Sequence, residues 1–348
     1  MPANKKIGFA VVGLGAIARG AVLPAFARTK KARLAAVVSR DKNEAAAVAR
    51  KFRVNTFYST DEFSKCLANP EISAVYIATP PGAHESYVVQ AAAAGKHVLC
   101  EKPLAANAEQ SARMVEACRR NRVLLMTAYR KYFEPSCIYL RQLIRGGKLG
   151  RLDTIHAAFS ELFVPGVSIP WLVDPNMAGG GPLMDLGVYC VNTTRWLAGE
   201  NPIEASAETW TRDAATFRDV EESISFRLRF PSGLVVIGSA SYGAKISSSV
   251  FAQGTKGWAS LTPAFDFNQE RRLTGEIGKR WIERKFKLTD EFAPELDAFA
   301  KAIQTRGSVE CDGDEGHRDM LIIAAIYKSA RIGKPVGIDY AAANAASA

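Results

Sequence analysis

The run Gly13-Leu14-Gly15-Ala16-Ile17-Ala18 directly follows an apolar stretch, Ile7-Gly8-Phe9-Ala10-Val11-Val12, and opens a helix-like segment. Few local features constrain a fold more. The apolar stretch reads as a buried strand, and glycine lets the backbone turn tightly out of it. The helix start after the turn leaves backbone N–H groups without partners. Phosphate oxygens accept from such groups, and a backbone without side chains lets them approach. The pattern therefore predicts a site for a dinucleotide pyrophosphate, with Gly13, Gly15, Ala16 and Ile17 as its candidates. A glycine turn with a purely structural purpose is the alternative, and the strands and helices downstream decide against it.

Strand and helix signals alternate as far as residue 128. After a helix to Arg28, the run Leu34–Val38 reads as a strand and Lys42–Lys51 as a helix. Thr60-Asp61-Glu62 reads as a helix start, since a hydroxyl or carboxylate there can accept an orphan N–H. Ala74–Ala78 reads as a strand, Glu85–Ala94 as a helix stopped by Gly95, His97–Cys100 as a strand, and Val123–Met126 as another. Asn107 caps the helix before that last strand. Continuous apolar strands separated by helices predict a parallel sheet covered on both faces, with ligands at the strands' carboxyl ends.

Three of those ends carry candidate side chains. The second strand ends at Ser39-Arg40, a hydroxyl and a guanidinium. Both are donors and suit a 2′-phosphate, so NADP is favoured over NAD. A strand two residues longer would instead put the Asp41 carboxylate at the ribose and select NAD. The fourth ends at Thr79-Pro80-Pro81, a rigid loop with one donor hydroxyl, which turn-making alone also explains. The fifth ends at Glu101-Lys102-Pro103, and a charged pair there is costly unless it faces a polar cleft.

The whole chain, 348 residues with mean hydropathy −0.04, suits about two domains of an ordinary soluble enzyme. We read 1–128 as the nucleotide domain, 129–340 as an α+β substrate and oligomerisation domain, and 341–348 as a flexible tail. No apolar run is long enough to span a bilayer, and residues 1–6 leave no room for a signal peptide. Six cysteines without C-x-x-C spacing and four scattered histidines argue for reduced thiols in a cytoplasm and for no metal. The net charge of +10 comes from dispersed lysines and arginines and no recognised binding module, so nucleic acid is not expected as a partner.

At Ala94-Gly95-Lys96-His97-Val98-Leu99-Cys100-Glu101-Lys102-Pro103 the chain resembles the glucose–fructose oxidoreductase/inositol dehydrogenase (Gfo/Idh/MocA) family. The likeness covers nearly the whole chain. Thr79-Pro80 through His84 looks like that family's nucleotide loop, and Gly179 through Tyr189 like its second hallmark. The segments Asp314–Met320 and Ser329–Val336 are also similar. Tyrosine at Tyr189, where many members carry histidine, resembles the glucose–fructose oxidoreductase branch, as do Tyr129-Arg130 and Asn192 to Glu200. The chain departs from the family in lacking a secretory leader, and in Leu172 after Trp171, where relatives commonly have arginine. Arg130 and Trp171 are further candidates for the cofactor; Arg130 as a surface ion-pair member and Trp171 as sheet packing are the plainer readings.

The resemblance implies hydride transfer between nicotinamide C4 and a carbinol or carbonyl carbon of a sugar or cyclic polyol. Residue chemistry agrees. A phenol with pKa ~10 is a poor base unless a cation stabilises its phenolate, and Lys102 is such a cation. Asp185 and Tyr189 lie four apart in a helix-like segment and so share a face. We assign Tyr189 as general acid/base, Lys102 as the group that polarises the substrate oxygen, and Asp185 as the residue orienting them. Alone, Tyr189 reads better as a packed helix residue and Asp185 as a helix-terminus carboxylate; together with Lys102 at a strand end they read as catalytic.

After a helix Pro135–Gly146, strands are predicted at Leu152–Ser160, Ile203–Thr211, Ser223–Phe230, Leu234–Tyr242, Ser249–Phe251 and Trp258–Leu261, with a hairpin at Pro231-Ser232-Gly233. They predict a mostly antiparallel open sheet whose apolar outer face pairs with a second subunit, as the resemblance also implies, giving a homodimer or homotetramer. The expected function is NADP-dependent sugar oxidation, in the nearest branch coupled on retained NADP to reduction of a second sugar. The alternatives are a plain sugar or cyclic-diol dehydrogenase that releases its cofactor, and a nucleotide-sensing regulator without chemistry.

Overall fold

In the computed structural model, which describes residues 6–340, the opening apolar run is strand β1 (Ile7–Val12), buried along its whole length. With β2 (Ala32–Ser39), β3 (Phe57–Ser59), β4 (Ala74–Ile77), β5 (His97–Glu101) and β6 (Leu125–Ala128) it forms a parallel sheet in the order β3-β2-β1-β4-β5-β6. Every strand runs the same way because a helix or helical turn carries the chain back each time. The strand order reverses between β1 and β4, and ligands bind beyond the carboxyl ends at such a point.

Local chemistry sets the helix ends. Asp41 accepts from the Asn43 N–H at 2.8 Å and caps Lys42–Lys51; Asn107 accepts from Gln110 N–H at 2.9 Å and caps Ala108–Arg120. Gly95 takes the left-handed φ of +71° that ends the helix before it. That helix runs Pro81–Ala93, so Pro80-Pro81 is not wholly loop and the start expected at Glu85 comes a turn earlier. Proline fits the first helical position because its missing N–H would have had no partner there. At Thr60 the cap is one residue earlier than expected: Ser59 and Glu62 form a capping box. The last strand starts at Leu125 rather than Val123.

The chain divides into two compact units. The first holds the chain up to Arg130 together with Asp290–His317; the second holds Lys131–Thr289 and the chain from Arg318 onward. The returning segment carries the helix Phe292–Thr305 onto β1 and β2, where Phe299 meets the Phe9 ring at 6.1 Å. There Asp297 accepts from the N–H groups of Lys30, Lys31 and Ala32.

In the second unit, β7 (Leu152–Ser160), β8 (Glu204–Trp210), β9 (Ser223–Arg229), β10 (Val235–Ser241), β11 (Ser247–Gly254) and β12 (Gly257–Thr262) appear where expected. Three more strands, β13 (Arg271–Ile277), β14 (Arg280–Phe286) and β15 (Val336–Gly337), complete a nine-stranded sheet. The sheet is antiparallel except where β10 lies parallel to β7. Its inner face, with Ile155, Ala157 and Phe159 buried, packs on the helix Val188–Ala198. Its outer face carries a row of rings: His156 to Phe251 at 6.0 Å, Phe251 to Trp258 at 5.6 Å, and Trp258 to Trp281 at 5.7 Å. Among the described residues no helix is long and apolar enough to cross a membrane. Residues 1–5 and the tail expected at 341–348 lie outside the described residues.

Candidate active site

The nucleotide candidates of the first unit gather at the end of the parallel sheet. Gly13 has φ +88°, and a Cβ there would stand 2.6 Å from the carbonyl oxygen of Ala78 in the loop after β4. No other residue fits the turn. Gly15 is different, since nothing lies within 4 Å of where its Cβ would be. Nothing in the protein's own packing requires glycine there, and the open side leaves room for a ligand to approach. Ala16 and Ile17 begin the helical segment after the turn.

Strand β2 stops at Ser39, and Asp41 is engaged by the Asn43 N–H, so the longer strand that would present Asp41 to a ribose is not formed. Arg40 is exposed. The Ser39 hydroxyl donates to Glu44, which also pairs with Arg19, and Arg19 Nε donates to the Leu14 carbonyl at 2.5 Å. Arg19 and Glu44 thus link the glycine turn to the end of β2. The sequence reading missed both residues.

At the end of β4 the Thr79 hydroxyl is buried and has no hydrogen-bond partner among the described residues. A buried donor without a partner is costly, on the order of 1–3 kcal/mol, and a bound nucleotide would relieve it. This orphaned hydroxyl, the open side of Gly15 and the exposed guanidinium of Arg40 fit a dinucleotide carrying a 2′-phosphate. Pro80 precedes the helix Pro81–Ala93.

His84, expected at the cofactor, has no exposed surface. Its ring nitrogens meet the carbonyls of Thr79 at 2.7 Å and Leu104 at 3.0 Å, tying the loop after β4 to the loop after β5. Burial holds its pKa below the ordinary histidine value, against the pull of the carbonyls.

At the end of β5, Glu101 is buried and accepts from the Tyr76 hydroxyl at 2.8 Å and the Lys102 N–H at 3.2 Å. Burial raises its carboxyl pKa, while Lys102 and Arg130 act against the rise. Lys102 itself is half-buried. Arg130 is no surface ion-pair member: it is 4% exposed, paired with Glu291 and set 5.8 Å from the Phe292 ring. The return of Asp290–His317 to this unit brings that partner, which local sequence does not indicate.

In the second unit Trp171 is half-buried in the short turn Pro170–Val173. The glycine run leads into a helix whose first turn, Leu183–Gly187, is a π-turn, continuing as Val188–Ala198. Such i→i+5 turns are rare and recur at functional sites. Four residues complete slightly less than one such turn, so Asp185 and Tyr189 still project to nearly one side. Asp185 accepts from the Tyr242 hydroxyl at 3.0 Å. The Tyr189 ring is held between Phe159, edge-on at 5.8 Å, and Phe265, stacked at 5.7 Å. Further along this helix Arg195 pairs with Asp319, and Asn192 donates to Asp319 at 2.7 Å.

A family model described as an oxidoreductase family with an NAD-binding Rossmann fold matches residues 7–129, and a Gfo/Idh/MocA C-terminal domain model matches residues 138–260. A D-xylose 1-dehydrogenase [NADP(+)] of Haloarcula marismortui is 32% identical over 340 residues, 97% of this chain and 94% of the relative. A mouse trans-1,2-dihydrobenzene-1,2-diol dehydrogenase is 34% identical over 228 residues, 65% of each chain. The crystal structure of an aldose-aldose oxidoreductase from Caulobacter crescentus complexed with glycerol superposes with a TM-score of 0.91 at 31% identity, covering 96% of this chain and all of that one.

Proposed function

The chain belongs to the Gfo/Idh/MocA oxidoreductase family, and from that premise we propose that it is an NADP-dependent oxidoreductase of aldoses. What carries the reading is similarity along 97% and 96% of the chain to two proteins whose names state aldose chemistry. Their identities above 30% along nearly the whole length set it apart from a likeness of fold alone. The substrate is an aldose, oxidised at its CH–OH carbon.

When bound, NADP supplies the hydride acceptor. The chain's own residues supply the rest. Arg40 would receive the 2′-phosphate, with Ser39 beside it once Glu44 releases its hydroxyl, and Thr79 would donate to the nucleotide through its own. Tyr189 takes the hydroxyl proton as the carbinol hydrogen leaves with its electron pair, and returns it in the reverse direction. Lys102 polarises the sugar oxygen. Asp185 orients the reacting groups. Phe159 and Phe265 fix the plane of the Tyr189 ring, so its hydroxyl swings little. A regulator that only sensed nucleotide would need none of these three polar groups.

Two modes of turnover share this chemistry: release of NADPH after each oxidation, as the xylose enzyme's name suggests, or reduction of a second aldose before release, as the Caulobacter enzyme's name suggests. Assembly as a homodimer or homotetramer through the ring-bearing outer face of the second sheet belongs to the same reading, as does a cytoplasmic home for six free, buried cysteines.

The test is to purify the protein without added nucleotide and add xylose, glucose and other aldoses while recording the reduced-nicotinamide absorbance. Bound cofactor that is reduced by one aldose and reoxidised by a second establishes exchange. A protein needing free NADP at each turnover establishes the dehydrogenase. No response to any aldose defeats the proposal. Tyr189→Phe should lower turnover ~10²–10⁴-fold with NADP affinity unchanged; near-normal turnover removes Tyr189 from the chemistry.

A further inference from the structure

Glu221 lies 40 residues from the glycine run, yet its carboxylate is built into it. One oxygen accepts from the Gly181 N–H at 3.0 Å and the other from the Leu183 N–H at 3.0 Å. Tyr327 donates its hydroxyl to that second oxygen at 2.9 Å. The carboxylate thus satisfies N–H groups that the start of the helix leaves open, as a capping residue would, but from outside the helix.

The neighbouring glycines show how close the fit is. A Cβ on Gly180 would stand 2.1 Å from the Tyr327 hydroxyl oxygen, and one on Gly181 2.2 Å from the Glu221 carbonyl oxygen. Gly180 leaves the room that the Tyr327 side chain occupies, and Gly181 the room that the backbone and carboxylate of Glu221 occupy. Glu221 and Tyr242 come from adjoining strand ends, since Ser223 of β9 pairs with Ser241 of β10 and the Tyr242 N–H donates to the Glu222 carbonyl at 2.9 Å. Tyr242 then donates to Asp185 in the π-turn. Burial raises the pKa of Glu221, Tyr327 and Tyr242 alike, so both phenols stay protonated donors.

We propose that Glu221, Tyr327 and Tyr242 are positioning residues: Glu221 with Tyr327 fixes where the π-turn Leu183–Gly187 begins, and Tyr242 fixes the Asp185 carboxylate within it. The inference rests on the reading of Asp185 and Tyr189 as reacting groups. A shift of about 1 Å in such groups costs ~10²-fold in rate. The three side chains therefore govern the chemical step and leave nucleotide affinity to the first unit.

The experiment measures kcat and KM for the best aldose, NADP affinity and melting temperature on the full chain. Glu221→Gln replaces one acceptor oxygen with an NH2 group facing a donor, and should lower kcat ~10–100-fold with NADP affinity unchanged. Tyr242→Phe removes a single hydroxyl and leaves the Glu221 contacts intact. It should lower kcat ~3–10-fold with KM nearly constant, in keeping with one lost hydrogen bond of ordinary net worth. Normal kcat in Tyr242→Phe overturns the inference. So does a fall in kcat that only follows a loss of melting temperature and of NADP affinity, as a merely structural role would produce. A wild-type protein that oxidises no aldose defeats the functional reading, and this inference with it; an active wild type beside an equally active Tyr242→Phe defeats this inference alone.

Discussion

Gly13 in the first unit and Gly180 in the second each stand where a Cβ has no room, but different things fill the space. At Gly13 it is the backbone of the loop after the neighbouring strand, at Ala78. Any parallel sheet of this strand order puts backbone there. At Gly180 it is one particular side chain, the phenol of Tyr327, which also donates to Glu221. The first constraint belongs to a topology and the second to a side chain. The nucleotide end should therefore respond to mutation residue by residue, and the Asp185–Tyr189 segment through partners far away in the chain.

Arg40→Ala gives that contrast its largest test. A charge-assisted bond to a 2′-phosphate is worth about 1.5–3 kcal/mol, so the variant should bind NADP ~10–100-fold more weakly and NAD nearly as before. Titration at two salt concentrations checks it, since an exposed contact weakens as salt rises. Equal loss for the two nucleotides would mean that Arg40 supports the loop and reads no phosphate.

The same contrast explains what the sequence made legible. Bounds such as Ile7–Val12, Lys42–Lys51 and Leu152–Ser160, the Asn107 cap and the turn at Gly95 rest on interactions within a few residues or on plain alternation. Strand β14, Arg-Trp-Ile-Glu-Arg-Lys-Phe, is exposed over most of its length and shows no clean alternation, so nothing marked it as a strand. Glu221, Tyr242 and Tyr327 gave no signal either, because a carboxylate and two phenols at such spacings form no local pattern. The glycines at Gly180 and Gly181 were visible, but not what they make room for.

The returning segment puts one long-range feature inside the otherwise legible unit. Glu295 is fully buried, with neither carboxylate oxygen hydrogen-bonded among the described residues. Burial pushes its pKa well above the ordinary 4.5; Glu101, Glu291 and Asp290 add to the rise, while Arg130 opposes it. With the folded pKa above the unfolded one, the group carries no ionisation cost below pH 4.5, and stability is lost as pH rises through that value toward the folded pKa. Each unit of that interval is worth about 1.4 kcal/mol. Glu295→Gln should match the wild type near pH 4 and melt higher near neutrality, by roughly 2–8 °C. A wild type that gains on the variant as pH rises would show Glu295 ionised and well paired.

The smallest expected effect probes a local contact that the sequence reading passed over. Glu44 lies five residues from Ser39, holds its hydroxyl, and pairs with Arg19. Its side chain is 35% exposed and that of Arg19 45%, so the pair itself is worth only about 0–1 kcal/mol. In NADP binding Glu44 is a competitor: it occupies the Ser39 hydroxyl and places a negative charge beside the phosphate. A ribose 2′-hydroxyl, by contrast, can donate to that carboxylate. Glu44→Gln keeps the size and removes the charge, so NADP should bind roughly 2–5-fold more tightly and NAD slightly less tightly, with the gap closing in high salt. Fluorescence titration with both nucleotides decides it. If Glu44→Gln instead weakens NADP as Arg40→Ala does, Glu44 serves to hold Arg19 toward the phosphate, and even this short-range contact is set by a partner from another element.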